Sequence, residues 1–498
     1  MESNHSGQGR SGSLLAGAFT AAALAVQTGL AAVVGIVLAR EFGRGAITDG
    51  FFAAYGVFAV IVLAAAAIRL TVLPSFARAR LERQLGAEVA RFAASLSLLA
   101  LPLLVVGVIL ARPIADVLTG HGSELAHTTA AEALPWMLLA ATLHLFAGLA
   151  ASALAALDDY VTAAGGYALG SIAGLIVILW RVGPDGVQAI SWGMALNGAV
   201  ALAVPATALA LRARRERMPA GAMRATGGSP GSRLATMGTG VALPLALQLV
   251  YLICLPFAAH EGEGAVTSFG FSYLIASAVV SVTASSLSLV TAVPLTRGGL
   301  DPARTARHIV SSSWLALVVF GAVAGIFGIA GGRLADTVLG ATYGSGVGEE
   351  LGRLVLLFAV WGIASIGVSV AFPLVFVVGL GRMLPWIALA IVFAHIPVAF
   401  GAVRVAGLSG LVLSMAVTTA VVLVALLFEL DALRTTMPGL LSAVVVVGGL
   451  AALAFVPSAV FLPDVAAALV GVLLYVALIG VIRPAGLRSA WFYLRDLR

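Results

Sequence analysis

Apolar residues run along this chain in stretches of about twenty, separated by short polar segments. That length matches the hydrocarbon thickness a helix must cross. The pattern predicts fourteen spans, at about 14–38, 47–73, 91–111, 131–156, 161–180, 187–211, 235–259, 265–296, 309–330, 351–378, 385–403, 406–428, 438–456 and 465–482. Short connections predict an all-α polytopic bundle. Pro74 in "VLPSFAR" is read as the residue that ends the second span.

Polar residues between the spans set a direction. With the N-terminus inside, one side holds 20 arginines against 10 acidic residues, and the other 7 against 12. A miscounted helix would mix these tallies, so the asymmetry predicts an even number of spans with both termini cytoplasmic. The inner side carries "ARARLERQLGAEVAR", "RGGLDPARTAR" and the tail "RPAGLRSAWFYLRDLR".

The longest polar stretch, 212–234, is rich in Gly, Pro and Ser and reads as a cytoplasmic linker. It divides the chain into a disordered cytoplasmic tail at 1–13, a first lobe at 14–211, a second lobe at 235–430, and two further helices with a basic tail at 431–498. Shifting the sequence by 220 residues supports two equivalent lobes. "GFFAAYGVFAVIV" at Gly50 then meets "GFSYLIASAVVSV" at Gly270. Pro74 meets Pro294, and "ADVLTG" at Ala115 meets "ADTVLG" at Ala335. Equal span numbers and a shared starting side predict parallel six-helix repeats, an architecture suited to alternating access.

Composition narrows the class. The chain is 498 residues, 61% hydrophobic and only 10% charged, whereas a soluble domain is about 25% charged. Water is not its main solvent. Its surplus of positive charge suits loops facing anionic lipid, and nucleic-acid binding is not expected. The single cysteine, Cys254, excludes a disulfide framework. No HExxH, Cys/His cluster or phosphate-binding glycine loop occurs, so neither catalysis, a metal nor a cofactor is expected.

Chemistry must then come from polar residues inside spans. Arg69 is the one arginine within a span. It lies five residues before Pro74, roughly 7–8 Å from the expected helix end by helical rise. Two readings stay open for it: snorkelling to the cytoplasmic headgroups, or gripping an anionic group in a hydrated cavity. Gln27, His144, Asn197, Gln248 and His395 are further polar positions, and each either pins neighbouring helices or faces a cavity. Gln27 and Gln248 fall at nearly equivalent places in the two repeats, which favours a shared cavity role. Asp49 reads as a cap at the start of the second span. Asp158 and Asp159 read as a solvated helix end or, less simply, as a divalent-ion pair.

The segment "GIVLAREFGRGAITDGFFAAYGVFAVIVL" resembles the opening of the MurJ (MviN) family, the lipid II flippases of the MOP superfamily. The family pattern A-R-x-F-G-x-G…T-D-A-F-F is met by Ala39, Arg40, Phe42, Gly43, Gly45, Thr48, Asp49, Phe51 and Phe52, with Gly50 for alanine. The resemblance implies two six-helix lobes, a central cavity and export of an undecaprenyl-pyrophosphate-linked saccharide for cell-envelope synthesis. It also implies cavity arginines in spans 1, 2 and 8. Here those places hold Val34 and Gly35, the apolar middle of span 2, and Ile275.

The expected function is a flippase in the bacterial cytoplasmic membrane. Its cargo would be a lipid-linked oligosaccharide or another amphipathic lipid, held by a monomer contacting membrane lipids. Arg69, Gln27, Gln248, Asn197 and His144 are the cavity candidates. A transport-inactive scaffold of the same family and a MATE-type small-molecule antiporter are the alternatives. The antiporter would need a buried carboxylate for ion coupling, and the sequence places none deep in a span.

Overall fold

A computed structural model describes residues 26–27, 29–120, 122–215, 229–285, 301–340 and 347–496. The N-terminal tail, most of the 212–234 linker and Pro294 lie outside the described residues. Within them the chain is helical throughout and contains no strand. The elements are α1 (29–42), α2 (Ala46–Leu81), α3 (Leu85–Ile109), the short α4 (Ala111–Leu118), α5 (Glu124–Ala156), α6 (Tyr160–Asp185), α7 (Gln188–Arg215) and α8 (Pro230–Ala259). There follow α9 (Ala265–Val280), α10 (Pro302–Leu339), α11 (Val347–Val377), α12 (Leu384–Glu429), α13 (Leu433–Phe461), α14 (Asp464–Ile482) and α15 (Ala485–Asp496).

Twelve described helices are long and apolar enough to cross a membrane. The helix α12 is two such spans. Its backbone leaves helical geometry at Ala406 and at Gly407, where φ is 54°. This break falls between the expected eleventh and twelfth spans. With α12 counted as two spans the described residues hold thirteen, and of the expected first span, 14–38, they include only 26–27 and 29–38.

Two expectations change. Pro74 does not end its helix: α2 runs through it to Leu81. Proline removes one backbone donor, a loss that helices of membrane proteins tolerate. Arg69 is therefore twelve residues from the end of α2, roughly 18 Å along its axis. The basic tail, in which the apolar pattern predicts no element, forms α15.

Contacts divide the chain into two compact units, residues 1–38 with 46–256, and residues 39–45 with 257–498. In the first unit, α2, α3, α5 and α8 enclose a core of Ile68, Val72, Phe76, Phe92, Leu96, Leu149 and Met237, with the rings of Phe76 and Phe92 edge to face. Helix α8 is counted here as far as Pro256 because it lies against α2. A Cβ on Gly56 would stand 2.7 Å from Leu255 and 2.9 Å from Leu252. Helices α6 and α7 approach closely along Gly166, Gly170 and Gly174, one turn apart on α6. In lipid the hydrophobic effect does not drive helices together, so such close packing carries the association.

In the second unit, Phe269, Tyr273, Phe358 and Trp361 form an aromatic cluster between α9 and α11. Helix α14 joins α10 where the Tyr475 hydroxyl donates to the Val318 carbonyl at 3.0 Å.

The backbone reversals between helices repeat along the chain. Of the twelve positive-φ positions among the described residues, eight form four pairs, Gly43, Gly120, Asp158 and Gly186 with Gly264, Gly340, Gly379 and Gly407, while Arg83, Gly262, Asp431 and Arg483 fall outside this pairing. Each later position follows its earlier counterpart by 220 or 221 residues. Gly186 (φ 61°, ψ −146°) and Gly407 (φ 54°, ψ −139°) adopt nearly the same conformation. The spacing of these four pairs is the shift at which Pro74 meets Pro294 and Ala115 meets Ala335 in the sequence.

Candidate functional site

In the first unit His144 is buried on α5, and its Nδ1 donates to the Ala140 carbonyl at 2.8 Å. A carbonyl only accepts, so this nitrogen carries the proton. The ring stands edge-on to Phe58 of α2 at 5.7 Å and tilted to Tyr167 of α6 at 6.2 Å. Gly198 of α7 completes its surroundings. Asn197 is the neighbouring residue on α7 and is half-buried against the glycine stripe of α6. Its Oδ1 is buried with no hydrogen-bond partner. The structure therefore brings His144 and Asn197 to adjoining places, with an amide oxygen left to accept a bond.

Gln248 is buried on α8, and Gln27 is half-buried in the helical turn preceding α1. Arg69 lies on α2, and its side chain is outside the described residues. His395, at the core of α12, bonds the Thr418 hydroxyl through Nδ1 at 2.8 Å. This bond joins the two halves of the broken helix, so His395 pins packing.

Within the second unit, the 39–45 segment is built around two arginines. Gly43 ends α1, with φ of 65° and its N–H donating to the Ala39 carbonyl at 2.9 Å. Arg40 turns to the end of α10, donating from Nε to the Val338 carbonyl at 3.0 Å and from Nη2 to the Thr337 carbonyl at 3.3 Å. These are terminal carbonyls that the helix leaves without internal partners. Arg44 donates to Ser268 of α9 at 3.0 Å and to Glu350 of α11 at 3.2 Å. Gly45 keeps clear of Glu263, whose carboxylate would lie 3.2 Å from a Cβ there. Phe42 is half-buried, and Asp49 is buried in the first turn of α2, where the helix dipole favours a carboxylate. The joining motif is thus a seat for this segment. Sequence reasoning found Arg40 but missed Arg44, Ser268 and Glu350.

The aspartate pair at 158–159 is a helix end. Asp159 accepts from the Thr162 N–H at 3.0 Å, capping α6, and pairs with Arg212. Asp158 pairs with Arg80 at 2.6 Å.

Ile275, at the place of an expected cavity arginine in span 8, lines a small apolar cleft with Val279, Phe320, Val323 and Val355. No charge stands there. Among the described residues, Asp49 is the one acidic side chain in the buried class.

No family model matches the chain, and no curated protein does. Solved structures do. A structure of the lipid II flippase MurJ superposes with a TM-score of 0.71 at 12% identity, covering 96% of this chain and 99% of that one. The fold is MurJ-like. An inward-facing multidrug resistance MATE family transporter of the MOP superfamily gives 0.62 at 17% identity, covering 82% of this chain and 95% of the other. A MOP superfamily transporter from Pyrococcus furiosus gives 0.56 at 17% identity over 84% and 94%. Identities this low speak for architecture. The MurJ architecture accounts for more of the chain than either of the other two.

Proposed function

We propose that this protein is a flippase-type carrier that moves a lipid-linked saccharide, or a similar amphipathic lipid, across the bacterial cytoplasmic membrane with both termini inside. The observation that carries this reading is the match to MurJ over 96% of the chain. The antiporter reading is weaker because the one buried acidic residue described, Asp49, sits in the first turn of its helix. A carboxylate there is held by the helix N-terminus, so it is poorly placed to exchange a coupling ion.

Headgroup recognition falls to Arg69, Gln27, Gln248, Asn197 and His144. Such a site makes fewer charge-assisted bonds than one rich in arginine, each worth about 1.5–3 kcal/mol. The apolar surroundings of Ile275 favour a cargo with a less charged headgroup than lipid II itself. The same observation supports the second reading, a transport-inactive scaffold.

Reconstituted vesicles decide between them. The full chain should move a fluorescent undecaprenyl-linked saccharide between leaflets faster than protein-free vesicles. No transfer by a folded, correctly inserted chain, with either monophosphate- or pyrophosphate-linked cargo, overturns the carrier reading. As a separate arm, restoration of wall synthesis in cells depleted of their lipid II flippase would assign lipid II as cargo.

A further inference from the structure

The tail after the last span was expected to be only basic, yet it folds into α15 with two unlike faces. Pro484, Ala490 and the half-buried Leu487 and Tyr493 lie on one side. This side docks on α10 of the same unit: Gly486 sits where a Cβ would collide with the Trp314 indole, and the Tyr493 hydroxyl lies 3.5 Å from His308 Nδ1. Burial raises the pKa of the Tyr493 phenol, and the charges of Arg307 and Arg304, both exposed in the first turns of α10, oppose that rise.

The opposite side carries Arg488, Trp491, Phe492 and Arg495, spaced i, i+3, i+4 and i+7, all exposed. Trp491 is 64% and Phe492 45% exposed, and the Arg495 guanidinium stands 5.0 Å from the Phe492 ring. Helical periodicity places the four on one stripe. Large aromatics exposed beside arginines are poorly suited to water. They suit the boundary of a bilayer, where rings enter the glycerol layer and guanidinium groups meet phosphates. The helix begins three residues after α14, a membrane-crossing segment, so the chain itself delivers it to that boundary. Arg483, Arg488 and Arg495, with Arg307 nearby and Arg304 paired with Asp301, give the surroundings a positive sign, which selects an anionic headgroup over a zwitterionic one.

We propose that the outer stripe of α15 is a binding site for anionic phospholipid, with Trp491 and Phe492 inserted at the interface and Arg488 and Arg495 on the lipid phosphates. This assignment goes beyond carriage of a cargo and does not depend on it.

Titration of brominated phosphatidylglycerol, and separately of brominated phosphatidylcholine, into the detergent-solubilised full chain tests it through tryptophan emission. Quenching by phosphatidylglycerol should have the lower midpoint, and the difference should vanish in Trp491→Phe. Arg488→Gln with Arg495→Gln should raise the phosphatidylglycerol midpoint about thirty-fold at low salt. Helicity and gel-filtration behaviour of the variants serve as the control for folding. Equal midpoints for the two lipids, or an unchanged midpoint in the well-folded double variant, would overturn the assignment.

Discussion

Arg44 places one guanidinium nitrogen 3.2 and 3.4 Å from the two carboxylate oxygens of Glu350, 306 residues further along the chain. Its Nε is committed at the same time to Ser268. The two charged side chains are 23% and 27% exposed, so solvent screens the pair only in part. Arg44→Ala and Glu350→Ala should each lower stability by about 1–2 kcal/mol. A double-mutant cycle in a reversible detergent-unfolding assay should return a coupling of at least about 0.5 kcal/mol. Strict additivity would mean that the ion pair does not seat the 39–45 segment.

The glycine stripe of α6 offers a paired test. A Cβ on Gly170 would stand 2.6 Å from the Asn197 carbonyl oxygen and 2.7 Å from its side-chain oxygen. Gly165, on the same helix, has nothing within 4 Å. Alanine is favoured over glycine in a helix by about 1 kcal/mol, whereas overpacking costs about 1–3 kcal/mol. Gly170→Ala should therefore destabilise the protein while Gly165→Ala leaves it unchanged or firmer. Melting temperatures of the two purified variants give the answer, and a shift of the same sign in both contradicts the packing account.

Thr418→Val removes the hydroxyl facing His395 Nδ1 and keeps the shape of the side chain. A buried ring nitrogen loses its partner there, at about 1–3 kcal/mol. Thr418→Ser should recover most of the loss. If valine and serine behave alike, the bond across the break in α12 contributes nothing measurable.

Arg69→Ala should slow saccharide transfer in the vesicle assay at unchanged membrane levels, and Arg69→Lys should retain part of the rate. A normal rate in Arg69→Ala would show that this arginine serves only to reach the headgroups.

Much of the architecture is legible because lipid imposes one period on every span. The boundary between the eleventh and twelfth spans was readable even though the helix is nearly continuous there, since the polar Arg404 and the glycine at 407 interrupt the apolar run. Pro74 misled because proline ends helices in water more readily than in a packed membrane bundle. Helix α15 was missed because its apolar face is only a few residues long and was outweighed by arginines in the count. The candidate site was less legible. His144 and Asn197 were found as polar interruptions, but their adjacency depends on three helices converging. Arg44 and Glu350 meet only after folding, and nothing local to either announces the other.

A chain in which four reversals recur 220 or 221 residues later contains its own replicate experiment. At one of them the earlier copy uses Asp158 and the later copy Gly379, yet both take positive φ. The conformation has outlasted the residue, so what is preserved there is the direction of the path and not the chemistry of the bend. Differences between counterpart positions elsewhere in the two copies then point to places where one copy has been adapted to a task the other does not share.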